Sequence, residues 1–176
     1  FWYNIATHPE IAAKISTEIH QTYAERPLED LSAISELTYT TAAIEETMRL
    51  YPPGWWFARI AQEDDTIRGY DVKAGDHIWM CAYLTQRHAS CWQDPDAFNP
   101  ERLLVEGERP KLASFPFGAG PRHCIGSHFA MLEMKIIIAA VFQKFKMTLP
   151  EGFPVALNPS TTLRPKHGLR MSLSAK

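Results

Sequence analysis

The amino-acid sequence predicts a mainly α-helical protein that also contains small antiparallel β-sheets. The first indication is the helical spacing of apolar residues between positions 9 and 51. The second is a long, mostly apolar run at 127–142, which follows a loop rich in glycine and proline. The third is a set of short β-prone runs separated by turn residues, at 66–84 and 146–176. With 176 residues, of which 45% are hydrophobic, the chain is able to bury a core.

Composition argues against several classes of function. The formal net charge is -2, which gives no reason to expect binding to nucleic acid or to an anionic membrane surface. No signal peptide and no apolar run long enough to span a bilayer is visible. The three cysteines are far apart, odd in number and without a C-x-x-C pair, which argues against a disulfide framework and a Cys-rich metal site. This cysteine usage fits a reducing compartment best, so we expect an intracellular protein, cytoplasmic if no anchor precedes Phe1.

The first part of the chain is predicted to be helical. Residues 1–6 are interpreted as the end of a helix that begins upstream, so the sequence is expected to be part of a longer chain. Thr7 and Glu10 form a capping-box pattern, with Pro9 in the first turn, for a helix that extends to about Tyr23. The apolar side of this helix is Ile11, Ile15 and Ile19.

A further helix is predicted over 38–50, after a short helical turn within 28–37, and is ended by the prolines at 52–53. Its apolar side is Ile44, Met48 and Tyr51. On a different face, Glu46 and Arg49 are three residues apart and are able to form an ion pair. From the spacing alone, the simplest interpretation is a solvent-exposed pair that stabilises the helix by roughly 0.2–0.5 kcal/mol.

The middle of the chain is predicted to form a small β-meander. An aromatic cluster at 55–57 precedes two predicted strands, at 66–72 and 77–84, which a glycine-containing turn joins. Residues 88–105 are predicted to be irregular, because prolines interrupt them.

The loop at 114–126 places Cys124 just before the predicted helix at 127–142. A helix N-terminus favours the thiolate form of a cysteine. From these residues alone, three interpretations are open: an inert buried thiol, a catalytic nucleophile, or an axial ligand to haem iron. The neighbouring His123 does not favour the nucleophile, because side chains adjacent in sequence diverge.

The residues around this cysteine resemble the haem-binding signature of the cytochrome P450 family of haem-thiolate monooxygenases. The pattern is Phe117-x-x-Gly120-x-Arg122-x-Cys124-x-Gly126. The resemblance implies that Cys124 is the axial ligand of haem b, that Arg122 holds a haem propionate, and that Phe117 shields the sulfur from water. It also implies that Gly120 allows the turn that aims the sulfur and that Gly126 lets the helix backbone approach the porphyrin.

Two further motifs extend the resemblance over the chain, in the family's order. Glu46 and Arg49 match the family's E-x-x-R motif, and Arg102 in the segment 98–102 matches the Arg that joins this pair. The resemblance therefore implies a buried triad rather than a solvent-exposed pair. Arg59 matches the family's second propionate-binding Arg. The implied fold is the C-terminal half of the cytochrome P450 fold.

The implied activity is the insertion of one oxygen atom from O2 into an apolar organic substrate. The electrons are implied to come from NAD(P)H through a reductase or ferredoxin partner. The candidate substrate contacts, for which core packing is an alternative, are Trp55, Trp56, Phe57, Thr161 and Thr162. His123 matches a position near which the family's electron donors dock.

Residues 1–176 are expected to be the C-terminal part of a single haem-binding monooxygenase domain whose N-terminal half is absent. The family's oxygen-activating acid–alcohol pair is expected upstream of Phe1, as is any membrane anchor, so the sequence makes no prediction of membrane association. Alternatives are a non-catalytic haem-binding protein and a relative that rearranges hydroperoxides without a reductase. A cysteine hydrolase is the remote third option.

Overall fold

The computed structural model describes residues 1–105 and 112–176. Its α-helices are α1 (Trp2–Thr7), α2 (Pro9–Thr22), α3 (Thr38–Leu50), α4 (Ala82–Thr85) and α5 (Ser127–Lys144). Short 3-10 helices lie at Ala33–Glu36, Pro100–Leu103 and Gly120–Arg122. In the described segments, none of the helices has both the length and the hydropathy that crossing a bilayer requires.

The strands form two-stranded antiparallel sheets. They are β1 (Phe57–Ile60), β2 (Asp65–Ile67), β3 (Tyr70–Val72), β4 (His77–Met80), β5 (Phe145–Thr148), β6 (Leu157–Pro159), β7 (Leu163–Pro165) and β8 (Ser172–Ala175). The pairs are β1 with β4, β2 with β3, β5 with β8, and β6 with β7. Since each sheet has only two strands, its stability depends on packing against the helices and loops. The predicted class, helices with small antiparallel sheets, is confirmed.

The hydrophobic core lies where α2, α3 and α5 pack together. The stripe predicted for α2 is buried, and Ile44 of α3 and Phe142 of α5 belong to the same cluster. The helix over 38–50 begins and ends at the predicted residues. Helix α5 continues two residues past the predicted end, to Lys144. Helices α2 and α3 are defined by periodic apolar residues and by prolines, and α5 by a continuous, mostly apolar run; all of these signals are local in sequence.

The N-terminus of α3 is capped from α2. Glu18 of α2 accepts hydrogen bonds from the backbone N–H groups of Tyr39 (2.6 Å) and Thr40 (2.8 Å) and from the Thr40 hydroxyl (2.6 Å). The first N–H groups of a helix have no partner within it, and a negative charge there is also favourable to the helix dipole. Glu18 therefore couples α2 to the start of α3.

Two local predictions are wrong. The run at 66–72 is a hairpin of two strands, β2 and β3, because Arg68 and Gly69 adopt positive φ (50° and 86°) and reverse the chain. The strand predicted over 77–84 ends at Met80, and its partner is the unpredicted β1 rather than the preceding run.

The capping box predicted for α2 is also wrong, although the helix begins at Pro9 as predicted. His8 is the N-cap, and no side chain caps the helix there. The Thr7 hydroxyl donates instead to the backbone carbonyls of Tyr3 and Asn4, at 3.1 Å each, in the preceding helix. A hydroxyl that bonds back to its own helix cannot cap the next one.

Candidate functional site

Main-chain hydrogen bonds define the shape of the loop that carries Cys124. Gly118 N–H donates to the Phe115 carbonyl at 2.9 Å, and Cys124 N–H donates to the Phe117 carbonyl at 2.9 Å. Gly118 and Gly120 have φ of +73° and +68°, in the left-handed region that favours glycine. The loop therefore folds back on itself and presents an exposed Cys124 three residues before α5 begins.

The surface next to Cys124 is apolar and exposed. Ile125 is 103% exposed and Phe129, on the first turn of α5, is 69% exposed. Leu132, one turn further along α5, is also exposed. Gly126 adds no side chain, and a Cβ there would lie 3.8 Å from the Cys124 Sγ. Large exposed apolar side chains around a thiol are expected where a second, apolar group covers the surface.

One arginine lies on the loop that carries Cys124, and a second lies on strand β1, which is next to this loop. Arg122 is exposed in the loop, at the end of the 3-10 helix Gly120–Arg122. Arg59 shares a face of β1 with Phe57, whose ring lies 3.8 Å from the position of a Cβ on Gly118. In the described part of the chain, neither guanidinium forms an ion pair with a carboxylate. Both are therefore able to bind an anionic group.

The structure brings Glu46, Arg49 and Arg102 together. Arg49 forms a bidentate pair with Glu46, in which Nε donates to Oε2 at 2.8 Å and Nη2 donates to Oε1 at 2.9 Å. Both side chains are 0% exposed. Arg102 Nε lies 3.1 Å from Glu46 Oε1 as an ion pair without hydrogen-bond geometry. Asn99 N–H also donates to Oε1, at 3.1 Å. The solvent-exposed interpretation of Glu46 and Arg49 is wrong, since tertiary contacts bury the pair.

The remaining donors of the two arginines bind backbone carbonyls of the irregular segment. Arg49 Nη1 donates to Gln86 O (2.8 Å) and Pro95 O (2.7 Å), and Nη2 donates to Ala97 O (3.1 Å). Arg102 donates to the carbonyls of Gln93, Asp94 and Ala97. Carbonyls that no strand or helix satisfies are thus bound by guanidinium groups, which holds 86–97 against α3.

Trp92 is part of this cluster and was missing from the sequence prediction. The guanidinium carbons of Arg49 and Arg102 lie 4.9 Å and 5.9 Å from its ring centroid. Its Nε1 donates to the Ala113 carbonyl at 3.2 Å. A tryptophan in a polar, proline-rich segment is a signal that could have indicated a buried anchor.

Replacing Arg102 with alanine is expected to lower the free energy of unfolding of the full-length protein by about 1.5–3 kcal/mol. The reason is that Glu46 loses one of two cationic partners, while the carbonyls of Gln93, Asp94 and Ala97 each lose the hydrogen bond from Arg102. We also expect less haem-loaded protein and an unchanged substrate preference, measured by chemical denaturation and product analysis. Arg102→Lys keeps the charge but lacks the planar guanidinium, so its free energy of unfolding should lie between those of the wild type and Arg102→Ala. Unchanged stability and yield would contradict a structural role.

The candidate substrate contacts occupy neighbouring segments. Trp55 Nε1 donates to the Ser160 carbonyl at 2.8 Å, and Leu163 N–H donates to the Pro53 carbonyl at 2.9 Å. These bonds bring the β6–β7 turn, with exposed Thr161 and Thr162, against the segment that leads into β1. Trp56 packs on Trp79 with ring centroids 4.6 Å apart, and the ring centroids of Phe57 and Phe115 are 6.1 Å apart. All three aromatic residues are half-buried, so the core-packing alternative describes only part of their surface.

His123 and Phe117 tie the loop to the helical core. His123 is exposed, with Nδ1 3.2 Å from the Gly118 carbonyl and Nε2 3.2 Å from the Ser127 hydroxyl of α5. Phe117 is half-buried and packs against the core cluster, with its ring edge-on to His123. Within the described residues, no group of three or more His, Cys, Asp or Glu could hold a metal ion.

Comparisons with known proteins place these features in context. The family profile described as "Cytochrome P450" matches residues 1–172. A protein designated cytochrome P450 132 in Mycobacterium tuberculosis is 36% identical over 173 residues, which are 97% of this chain and 37% of that relative. Cytokinin hydroxylase of Arabidopsis thaliana is 33% identical over 173 residues, 96% of this chain and 33% of that protein. This chain thus spans about a third of the length of the curated relatives that it matches.

A solved structure of similar fold is also found. The crystal structure of cytochrome P450 CYP102L1 matches with a TM-score of 0.89 and 30% sequence identity, over 99% of this chain and 40% of that chain. The two chains therefore share their fold over nearly all of the present sequence.

Proposed function

Because this chain belongs to the cytochrome P450 family, we propose that the full-length protein is a haem-thiolate monooxygenase. It inserts one oxygen atom from O2 into an apolar organic substrate and takes electrons from NAD(P)H through a reductase or ferredoxin. The observation that carries the proposal is an exposed Cys124 on a hydrogen-bonded loop, at the edge of an exposed apolar surface.

The residues around Cys124 fit a haem. The porphyrin is flat and apolar, and the exposed side chains of Ile125 and Phe129 offer an apolar surface beside the thiol. Propionates are anions, and Arg59 and Arg122 are cations that no carboxylate of the described residues neutralises. Gly126 keeps the backbone next to the sulfur clear of side-chain atoms.

The proposal gives each of these residues a role. Cys124 would ligate the iron as thiolate, and Arg122 and Arg59 would bind the propionates. Gly120 would supply the turn that aims the sulfur, and Phe117 would limit access of water to it. Haem ligated by thiolate supplies, when bound, the redox chemistry that splits O2 and oxidises the substrate.

The Glu46 triad would contribute rigidity rather than chemistry. Its two arginines hold segment 86–97 by hydrogen bonds to carbonyls, and this segment precedes the cysteine loop, residues 114–126, in the chain. Positioning residues of this kind keep a ligand within the narrow range of geometry that ligation requires.

The substrate would be apolar and would contact the surface formed by 55–57 and the β6–β7 turn. Aromatic residues form one part of this surface and the exposed Thr161 and Thr162 belong to the adjoining turn, which suits a mostly hydrophobic molecule with few polar groups. The electron donor would approach near His123, which is exposed on the loop beside Cys124.

The proposal is tested on the full-length protein loaded with haem. After reduction and addition of CO, we expect the long-wavelength Soret band of a thiolate-ligated haem, and with a reductase, NADPH-driven oxidation of an apolar substrate. A spectrum typical of histidine ligation would contradict thiolate ligation by Cys124. The thiolate band without any oxidation would instead favour a non-catalytic haem protein.

A further inference from the structure

Gln86 is a buried polar residue at the junction of α4, α3 and the cysteine loop. It directly follows α4, its side chain is 0% exposed, and no role was predicted for it from the sequence. Burying an amide is unfavourable unless its donors and acceptor are hydrogen-bonded. Every polar group of the Gln86 side chain has a partner, and those partners belong to two different elements.

The first element is the C-terminus of α3. The carbonyls of Met48 and Arg49 would ordinarily accept from the N–H groups four residues later. Those positions are Pro52 and Pro53, which have no N–H. The Gln86 amide supplies the missing donors, with Nε2 at 3.1 Å from Met48 O and 2.9 Å from Arg49 O.

The second element is the start of the cysteine loop. Gln86 Oε1 accepts from the Phe115 backbone N–H at 2.6 Å, and the Ser114 hydroxyl lies 3.5 Å away. The orientation of the amide is determined by its partners, because backbone carbonyls only accept and a backbone N–H only donates. A rotated amide would place donor against donor and acceptor against acceptor.

Backbone hydrogen bonds connect this contact to Cys124. The Phe115 carbonyl accepts from Gly118 N–H, and the Phe117 carbonyl accepts from Cys124 N–H, both at 2.9 Å. The Gln86 carbonyl also accepts from Arg49 of the triad, at 2.8 Å. The Gln86 side chain therefore links α3, which carries the buried Glu46–Arg49 pair, to the start of the cysteine loop.

We propose that Gln86 is a positioning residue for Cys124, which holds the entry of the cysteine loop at a defined place on the end of α3. The inference rests on the proposed function, since the sulfur is taken to be a haem ligand. Two tasks are combined in one side chain: the NH2 group caps α3 and Oε1 holds the loop. Only the hydrogen bond from the Phe115 N–H to Oε1 affects the position of Cys124.

Two nearly isosteric variants of the full-length protein separate these tasks. Gln86→Met removes both the donors and the acceptor, whereas Gln86→Glu removes the NH2 group but keeps an oxygen for the Phe115 N–H. Both variants lose the α3 cap, so both should lower the melting temperature, and Gln86→Glu should lower it further, because its second carboxyl oxygen faces the Met48 and Arg49 carbonyls. Only Gln86→Met is expected to lose a large part of the thiolate band of the reduced CO complex. It is also expected to release haem about 10–100-fold faster to an excess of a haem-accepting apoprotein.

Glu18→Ala is the matched control, because Glu18 caps the opposite end of α3 and does not touch the loop. It should lower the melting temperature while the thiolate band and the rate of haem release stay as in the wild type. Equal spectral loss in Gln86→Met and Gln86→Glu, or the same loss in Glu18→Ala, would overturn the proposal, because general destabilisation would then be sufficient.

The outcomes also separate this proposal from the proposed function. A wild-type protein without the thiolate band contradicts both. If the wild-type protein shows the thiolate band and Gln86→Met keeps both the band and the wild-type rate of haem release, only the positioning role is overturned. If Gln86→Met gives no soluble protein, hydrogen exchange of the Phe115 backbone N–H is measured in Gln86→Glu instead. Protection equal to that in the wild type supports the positioning role, and fast exchange overturns it.

Discussion

Replacing Glu46 with alanine is expected to lower the free energy of unfolding of the full-length protein by about 3–5 kcal/mol. The carboxylate is 0% exposed and receives two hydrogen bonds from Arg49, one from Asn99 N–H and the ion pair with Arg102. Without it, the buried Arg49 guanidinium keeps its charge, which cannot be removed by deprotonation near neutral pH. The cost is therefore that of an uncompensated buried cation.

Denaturation in urea, followed by a far-UV signal, measures this effect. The exposed ion pair of Lys14 and Glu101 supplies the control, and Glu101→Ala should change stability far less than Glu46→Ala, because solvent screens that pair. Comparable losses from the two substitutions would contradict the special role of burial. A Glu46→Ala protein that unfolds at the wild-type urea concentration would contradict the buried triad itself.

The parts of the fold that were predictable from sequence depend on local signals. Helix α3 is bounded by Thr38 and by the prolines at 52–53, and its apolar positions recur with helical spacing. Strand β1 was not predictable in this way, because residues 57–60 become a strand only by pairing with 77–80, across an intervening hairpin. Pairings of distant segments leave little trace in the composition of either segment.

The candidate site shows the same limit. The motif around Cys124 is local, and the order of three motifs was sufficient to indicate the family. The spacing of Glu46 and Arg49, however, is equally suitable for a solvated pair and for a buried one. The pair is buried by Trp92 and by the carbonyls of 86–97, which are roughly 40 residues away in sequence. The partners of the Gln86 side chain are also distant in sequence. The family resemblance implied the buried triad, whereas Trp92 and Gln86, which belong to none of the three motifs and whose side-chain partners are all distant, became visible only in the folded chain.

Replacing Cys124 with alanine is expected to abolish the thiolate band of the reduced CO complex and to reduce the proposed monooxygenase turnover below detection. The thiol is exposed, and its Sγ takes part in no hydrogen bond among the described residues. Its removal therefore has little reason to unfold the protein, and the loss would report on ligation rather than on stability. We expect the apoprotein of this variant to melt within a few degrees of the wild-type apoprotein.

The other two cysteines provide matched controls. Cys81 and Cys91 are partly buried and lie at the end of β4 and in the irregular segment. Cys81→Ala and Cys91→Ala remove the same atoms and should keep the thiolate band, with modest changes in melting temperature. If the band persists in Cys124→Ala but disappears in one of these variants, that cysteine is the ligand instead. If it persists in all three, ligation does not depend on a single cysteine, and the Cys124 loop would be a structural feature of the fold.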